Sequence, residues 1–353
     1  MTIETICQHI VPASQSAMEL AQKRWNSIAK PLGSLGLLEV EIIRMAGMFG
    51  TAQIPVLKPA VIAMCADNGV VAEGVTQTGQ EVTAIVTENM SSRDTSVCRM
   101  ARRAGATVFP VDIGVAVPLQ GEHILQKNIR RGTGNIAIEP AMTRQEAEAA
   151  ILVGIELVGD LKAQGYNLIA TGEMGIGNTT TSAAIAAVLL GIEPQVVTGR
   201  GAGLSDQGLV RKIDAITRAI AVNQPDPSDA IDVVSKVGGL DLAGLAGVFL
   251  GGAYHHIPVL VDGVISMAAA LVAAEICPTA KDYMVGSHAS AEPAGALFVD
   301  ALGLKPFLFA GMRLGEGTGA VAVMPILDMA LAVYDEMSTF DDIEIEAYQE
   351  NPQ

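Results

Sequence analysis

The stretch GEMGIGNTTTSAA (172–184) has the composition of a phosphate-gripping turn. Gly175 and Gly177 expose backbone N–H groups, and Asn178 with Thr179, Thr180 and Thr181 opens a helix whose N-terminus favours an anion. An ordinary N-capped helix after a glycine turn is spelled the same way. GRGAG (199–203), with Gly201 and Gly203, and GEGTG (315–319) are likewise glycine-rich, and three such turns carry more weight than one. No G-K-[ST] occurs in the chain, so none is a Walker A loop, and none is a full dinucleotide fingerprint. Lys212, on the helix after GRGAG, suits a phosphate as a mobile point charge, or else is a solvated surface lysine.

In RLGEGTGA (313–320) Glu316 is the only carboxylate and stands between Gly315 and Gly317. Glycine lets the backbone turn sharply and another molecule come close, so this carboxylate is placed to touch something other than its own neighbours. GSHASAEP (286–293), which holds Ser290, sets a serine beside a histidine but lacks the G-x-S-x-G elbow, which argues against a serine hydrolase. His255 and His256 adjoin without metal-ligand spacing, so no metal site is expected. MCADNGVVAEGVTQTGQEVT (64–83) reads as a strand running into a polar turn suited to recognising a small ring, or as a plain surface loop.

Something must bring these turns together. Apolar runs at 60–69, 106–114, 167–175, 257–263, 282–290 and 306–317 alternate with helical stretches such as 143–164 and 208–221, the first opening with a Thr143-x-x-Glu146 capping box. Alternation of this kind predicts an α/β fold with a mainly parallel, Rossmann-like sheet and flanking helices. Ligands of such sheets bind outside the carboxyl ends of the strands, so Asp67, Asp112, Glu173, Asp262, Ser287 and Glu316 are expected to converge on one pocket. Helices at about 15–29 and 35–49, joined by KPLGSLG (30–36), and a last helix at about 319–337 suggest a small helical subdomain from both termini (1–56 and 325–353), beside an α/β catalytic domain over 57–324.

Composition agrees with that reading. Half of the 353 residues are hydrophobic and 37 are glycine, while aromatics are only 4%. The core must then be small aliphatic side chains, as where helices pack closely on a parallel sheet. A formal charge of −16 without long basic runs argues against nucleic acid. Four scattered cysteines without C-x-x-C argue against a disulfide framework and fit a reducing cytoplasm. Glu4 and the lack of early Lys or Arg argue against a signal peptide. The least polar stretch, 242–261, holds four glycines, two histidines and Pro258, and is expected to be a buried helix followed by a strand rather than a membrane span.

Taken in order, KPLGSLG, ADNGVVAEGVTQTGQEVT, GEMGIGNTTTSAA, GRGAGLSD, VGGLDLAGLAG (237–247), GSHASAEP and RLGEGTGA resemble the nicotinate-nucleotide:dimethylbenzimidazole phosphoribosyltransferases, which build the α-ribotide of cobamide lower ligands. The resemblance covers nearly the whole chain. It implies transfer of 5-phosphoribosyl from nicotinate mononucleotide to an aromatic acceptor with release of nicotinate, no cofactor, and a dimer whose partner helps close each site. It also implies that Glu316 is the general base. Glu173, Gly175, Gly177, Asn178, Thr179, Gly201, Gly203, Lys212 and Ser290 would hold the donor, and Asn68, Thr78, Gln80 and Leu314 the acceptor. One block departs from the pattern: members using dimethylbenzimidazole commonly read DHGVVAEGVSAYPQEVT, where this chain has Asn68 and TQTGQ (76–80). The acceptor therefore stays open between a benzimidazole and a phenol such as phenol or p-cresol, the latter used by a branch that pairs unlike subunits. The other classes to weigh are a non-catalytic subunit of a heteromeric transferase and a dinucleotide-dependent oxidoreductase.

Overall fold

The computed structural model describes residues 2–348. Its centre is a six-stranded sheet, β1 (Pro59–Ala66), β2 (Thr107–Gly114), β3 (Leu125–Gln126), β4 (Leu168–Met174), β5 (Val259–Val261) and β6 (Met284–Gly286). The strand order is 3-2-1-4-5-6, and every pair is parallel. That is the doubly wound order, in which the direction of strand addition reverses between β1 and β4 and opens a crevice at their carboxyl ends. All eight residues of PAVIAMCA in β1 are buried. A strand covered by helices on both faces has to be a continuous apolar run.

The helices follow their local signals. Gln15–Ser27 starts at Ser14, whose side chain accepts from Ala17 N. Leu37–Phe49 ends at Gly50 with φ of 70°, a left-handed residue that glycine adopts at no steric cost. The capping box closes as expected, Thr143 N donating to Glu146 Oε2 at 2.8 Å and Glu146 N to Thr143 Oγ1 at 3.2 Å, ahead of helix Arg144–Ala163. The apolar stretch from 242 is a helix, Leu240–His255, buried from Leu240 through Ala253 and followed by β5. Among the described residues, Thr318–Glu336 is the one helix long and apolar enough to cross a membrane by length and composition; 56% of its apolar window is buried inside the protein.

That helix also joins the two ends of the chain. Trp25 packs against Tyr334 with ring centroids 5.1 Å apart, and Arg24 Nε donates to Tyr334 O at 3.0 Å. Ala29 N donates to Ser338 O at 3.0 Å. The helix runs unbroken through Pro325, at the expected boundary between the two parts.

One expected strand is absent. Residues 306–317 form only an isolated bridge, His288 with Leu308. Pro306 opens the stretch, Gly311 and Gly315 take φ of 65° and 88°, and Phe309 is 76% exposed, so its apolar letters are not a buried ladder. The sheet instead gains β3, two residues long and too short to leave a period in the sequence.

Candidate functional site

The crevice at the ends of β1 and β4 holds a cavity of about 440 Å³. Glu173, Gly175, Gly177, Asn178, Thr179, Gly201 and Ser290 line it, as do Thr78, Leu314 and Glu316. The strand order thus brings together turns that are more than a hundred residues apart in sequence.

Glu316 sits at the centre of a left-handed run. Gly315, Glu316 and Gly317 have φ of 88°, 62° and 96°. A non-glycine residue there costs about 1–3 kcal/mol and persists only when its surroundings fix it. They do: Glu316 Oε2 accepts from Val97 N at 3.0 Å, at the start of helix Ser96–Arg103. Glu316 N donates to Glu173 Oε1 at 3.4 Å. Asp262, at the end of β5, accepts from Gly317 N at 3.3 Å and Ala320 N at 2.9 Å and so caps the following helix. Both flanking glycines are needed for the chain itself. A Cβ on Gly315 would run into the Glu173 carboxyl, and one on Gly317 would lie 3.0 Å from Thr171 O of β4.

Glu173 is buried beneath this turn, with its Oε2 accepting from the Asn178 amide. Burial, aided by the charges of Asp241 and Asp262, pushes its pKa up to about 8, so the carboxyl is mostly protonated in neutral solution. Burial also raises Asp241, to about 6, and Asp262.

Thr179 and Gly201, which also line the cavity, adjoin a buried cation. Lys212 is only 1% exposed and does not line the cavity. Its Nζ donates to Thr179 Oγ1 at 2.8 Å and to Gly199 O at 3.0 Å. Burial pushes its pKa down to about 8. The solvated-lysine reading is therefore corrected: this is an interior cation one hydroxyl away from the cavity. An anion bound there would favour its charged form.

Other sites fall differently from expectation. Gly203 lies on an adjoining cleft with Arg200 and Arg313, not on the main cavity. Asn68 is fully buried behind Gly177, whose Cβ would come 3.3 Å from that of Asn68. Gln80 donates to Asn68 O at 3.1 Å and is absent from the cavity lining. The loop at 76–80 is nevertheless tied to the donor side, since Gln77 Nε2 donates to Gly203 O.

Of the six strand-end residues expected to converge, Glu173, Asp262 and Glu316 do. Asp112 is spent on its own chain, accepting from Val115 N at 2.9 Å, Asn128 Nδ2 at 2.6 Å and Arg131 at 3.1 Å. Asp67 accepts from Ala116 N at 2.8 Å, and Ser287 Oγ donates to Val261 O at 2.5 Å. Asp112 lies near the end of β2, one strand beyond the crevice, while a loop N–H claims Asp67 and a carbonyl of β5 claims Ser287.

Sequence reasoning passed over Asp241, Arg200 and Arg313, and weighed His288 only as the neighbour of a serine in GSHASAEP. His288 and both arginines line the cavity. Asp241 lies just behind it, 3.1 Å from Asn178 Nδ2. The available signal for Asp241 was its charge in the otherwise uncharged VGGLDLAGLAG. In chemical terms, the acids Glu173, Asp262 and Glu316 line the cavity together with Thr179, Ser290 and the Gly201 turn, and Lys212 stands behind Thr179. The helix N-terminus at 178–179 suits an anionic group.

The family described as Phosphoribosyltransferase matches residues 10–345. Nicotinate-nucleotide–dimethylbenzimidazole phosphoribosyltransferase of Ruminiclostridium cellulolyticum is 47% identical over 349 residues, 99% of both chains. Its counterpart in Acetivibrio thermocellus is 50% identical over 332 residues, covering 94% of this chain and 95% of that one. Among solved structures, CobT from Thermus thermophilus superposes with a TM-score of 0.90 at 38% identity, over 94% of this chain and 100% of the other.

Proposed function

The chain belongs to the nicotinate-nucleotide–dimethylbenzimidazole phosphoribosyltransferases, and on that premise we propose that it moves the 5-phosphoribosyl group of nicotinate mononucleotide to 5,6-dimethylbenzimidazole. The products are nicotinate and an α-ribotide for cobamide assembly. The observation that carries this reading is a single cavity lined both by the glycine turns at 175–179 and 201, which suit a phosphate, and by Glu316.

The donor pairs a cationic pyridinium with a phosphate, and the glycine turns with the helix N-terminus suit the phosphate. Its phosphate faces the N–H groups of the 175–179 and 199–201 turns, with Ser290 and Lys212, and its ring and ribose lie against Glu173 and Asn178. As an acceptor nitrogen bonds to C1 of the ribose, the C1–pyridinium bond breaks and its electron pair returns to the nicotinate nitrogen. The leaving group departs neutral at nitrogen and needs no acid. The acceptor, made cationic by the new bond, gives its N–H proton to Glu316, a step for which a positioned base contributes about 10²–10⁴ in rate. Thr78 and Leu314 border the acceptor directly, and Asn68 and Gln80 support that wall from behind.

A phenolic acceptor is the second reading, favoured by TQTGQ at 76–80 and Asn68. We further place the enzyme in the cytoplasm, as a dimer with itself or a paralogue, without a resident cofactor. Incubation with nicotinate mononucleotide and one acceptor at a time, followed by mass spectrometry, tests the proposal. Nicotinate is released only when an acceptor is present, and dimethylbenzimidazole gives the ribotide. Equal release without acceptor means a hydrolase; a phenolic ribotide alone moves the chain to the phenol-using branch.

A further inference from the structure

We propose that Asp241, which does not line the cavity, is a positioning residue of the donor site: it orients the Asn178 amide and, through it, the Glu173 carboxyl on which the Glu316 turn rests. The kinetic consequence rests on the phosphoribosyl-transfer reading above; the structural one does not.

The argument starts from hydrogen-bond supply. Asn178 has two amide protons, and its Nδ2 donates to Glu173 Oε2 and, at 3.1 Å, to Asp241 Oδ2. With both spent, the side-chain atom left for a ligand is Oδ1, an acceptor only. Such an atom suits a ribose hydroxyl or an electron-poor ring. With Glu173 alone as partner the amide is free to turn; Asp241 supplies the second restraint.

Asp241 is itself held in one place. Its Oδ1 accepts from Leu242 N at 3.0 Å, in the first turn of helix Leu240–His255, where a negative charge is favoured. Gly175 and Gly239 close on it from two sides. A Cβ on Gly175 would stand 2.5 Å from Asp241 Oδ2, and one on Gly239 would collide with Oδ1. Side chains there would displace the carboxylate.

The groups facing Glu173 are Asp241 from this helix, Asp262 from the end of β5 with His288 3.9 Å from it, Asn178, and the backbone N–H of Glu316. Asp241 and Asp262 both disfavour ionisation of Glu173. Neutralising Asp241 therefore makes Glu173 ionise at lower pH.

The test compares wild type with D241N and G239A. Gly239 lies outside the cavity, and its φ of −149° accepts alanine; G239A presses on the Asp241 carboxylate and equally on the Asn68 amide, so N68A is run beside it to separate the two. The infrared carbonyl band of the protonated Glu173, identified by its loss in E173Q, is titrated in each protein. Its midpoint is expected to fall by about half a pH unit or more in D241N. With the isosteric amide, kcat/KM for nicotinate mononucleotide falls roughly 10- to 100-fold while KM for the acceptor stays unchanged. G239A gives smaller changes in the same directions and decides the matter if D241N does not fold. A folded variant with wild-type titration and wild-type donor kcat/KM overturns the assignment. If even the wild type turns over no donor, the functional reading falls, and the infrared titration alone then decides whether Asp241 governs Glu173.

Discussion

Two turns of this protein share a glycine–glutamate theme and use it differently. After β4, Gly172-Glu173 leads through Gly175 to a left-handed Gly177 and helix Asn178–Leu190; near the C-terminus, Gly315-Glu316 leads to a left-handed Gly317 and helix Thr318–Glu336. Glu173 is a strand residue, fixed by the ladder and buried against two other acids, so it is mostly uncharged at neutral pH. Glu316 is reached by irregular chain, is partly exposed, and has its carboxylate held by one backbone N–H. Burial, not the motif, sets the two glutamates apart.

Replacing the exposed partner of this pair has the largest expected effect. Glu316→Gln keeps shape and donor binding but loses the basic oxygen, and turnover falls by about 10²–10⁴. Rates for acceptors of falling pKa check the cause, because an acceptor already ionised in solution needs no base and the deficit shrinks. A flat ratio of variant to wild type across the series would pass the base role to Glu173 or Asp262 and reverse the comparison.

At the phosphate end, Lys212→Ala is expected to weaken nicotinate mononucleotide binding by about 1.5–3 kcal/mol, the usual range for a hydrogen bond to a charged group. Calorimetry with nicotinate riboside is the control, since without a phosphate most of the difference between the two proteins disappears. Equal donor affinity in wild type and variant would make Lys212 a purely structural tie between Thr179 and Gly199.

For the buried glutamate the readout is stability. Its folded pKa, about 8, lies above the ordinary 4.5, so the folded state holds a proton that the unfolded chain has lost. Glu173 therefore costs nothing below about pH 4.5 and lowers stability progressively up to about pH 8, with a limiting slope of about 1.4 kcal/mol per pH unit. Glu173→Gln removes that component. Denaturant melts of the variant between pH 5 and 8 are expected to show a shallower decline than wild type, and an unchanged slope would mean that Glu173 is ionised in the folded protein.

The sequence carried the glycine turns and Glu316 because their requirements are local: a left-handed φ or an N-cap is satisfied within a few residues. Strand and helix alternation carried the sheet. It could not carry the two-residue β3, nor separate the exposed 306–317 run from a strand, because composition alone does not record what covers a segment. Lys212 was a candidate from its place after GRGAG, but its burial, like the position of Asp241, could not be read for a related reason. Their burial comes from Thr179 and Gly199 in one case and from Asn178 and Gly175 in the other, contacts made only once the sheet has assembled.

The smallest expected effect concerns the acceptor wall, where the two turns meet a third segment. Thr78 and Leu314 line the cavity, Gln80 braces Asn68 from behind, and Gln77 bonds to Gly203 on the donor side. Converting TQTGQ (76–80) to SAYPQ together with Asn68→His puts an aromatic ring and a rigid proline on this wall without touching Glu173 or Glu316. A hydrophobic pocket distinguishes similar ligands by only about 1–3 kcal/mol, so the ratio of dimethylbenzimidazole to phenol use is expected to rise by roughly 10-fold or more. Competition assays with both acceptors in one tube read that ratio directly, free of differences in enzyme concentration. Because the replacement also removes the Gln77 contact with Gly203, a modest rise in KM for the donor is expected alongside. An unchanged acceptor ratio with a raised donor KM would mean that this loop serves the phosphate side alone, leaving Leu314 and the turn of Glu316 to choose the acceptor.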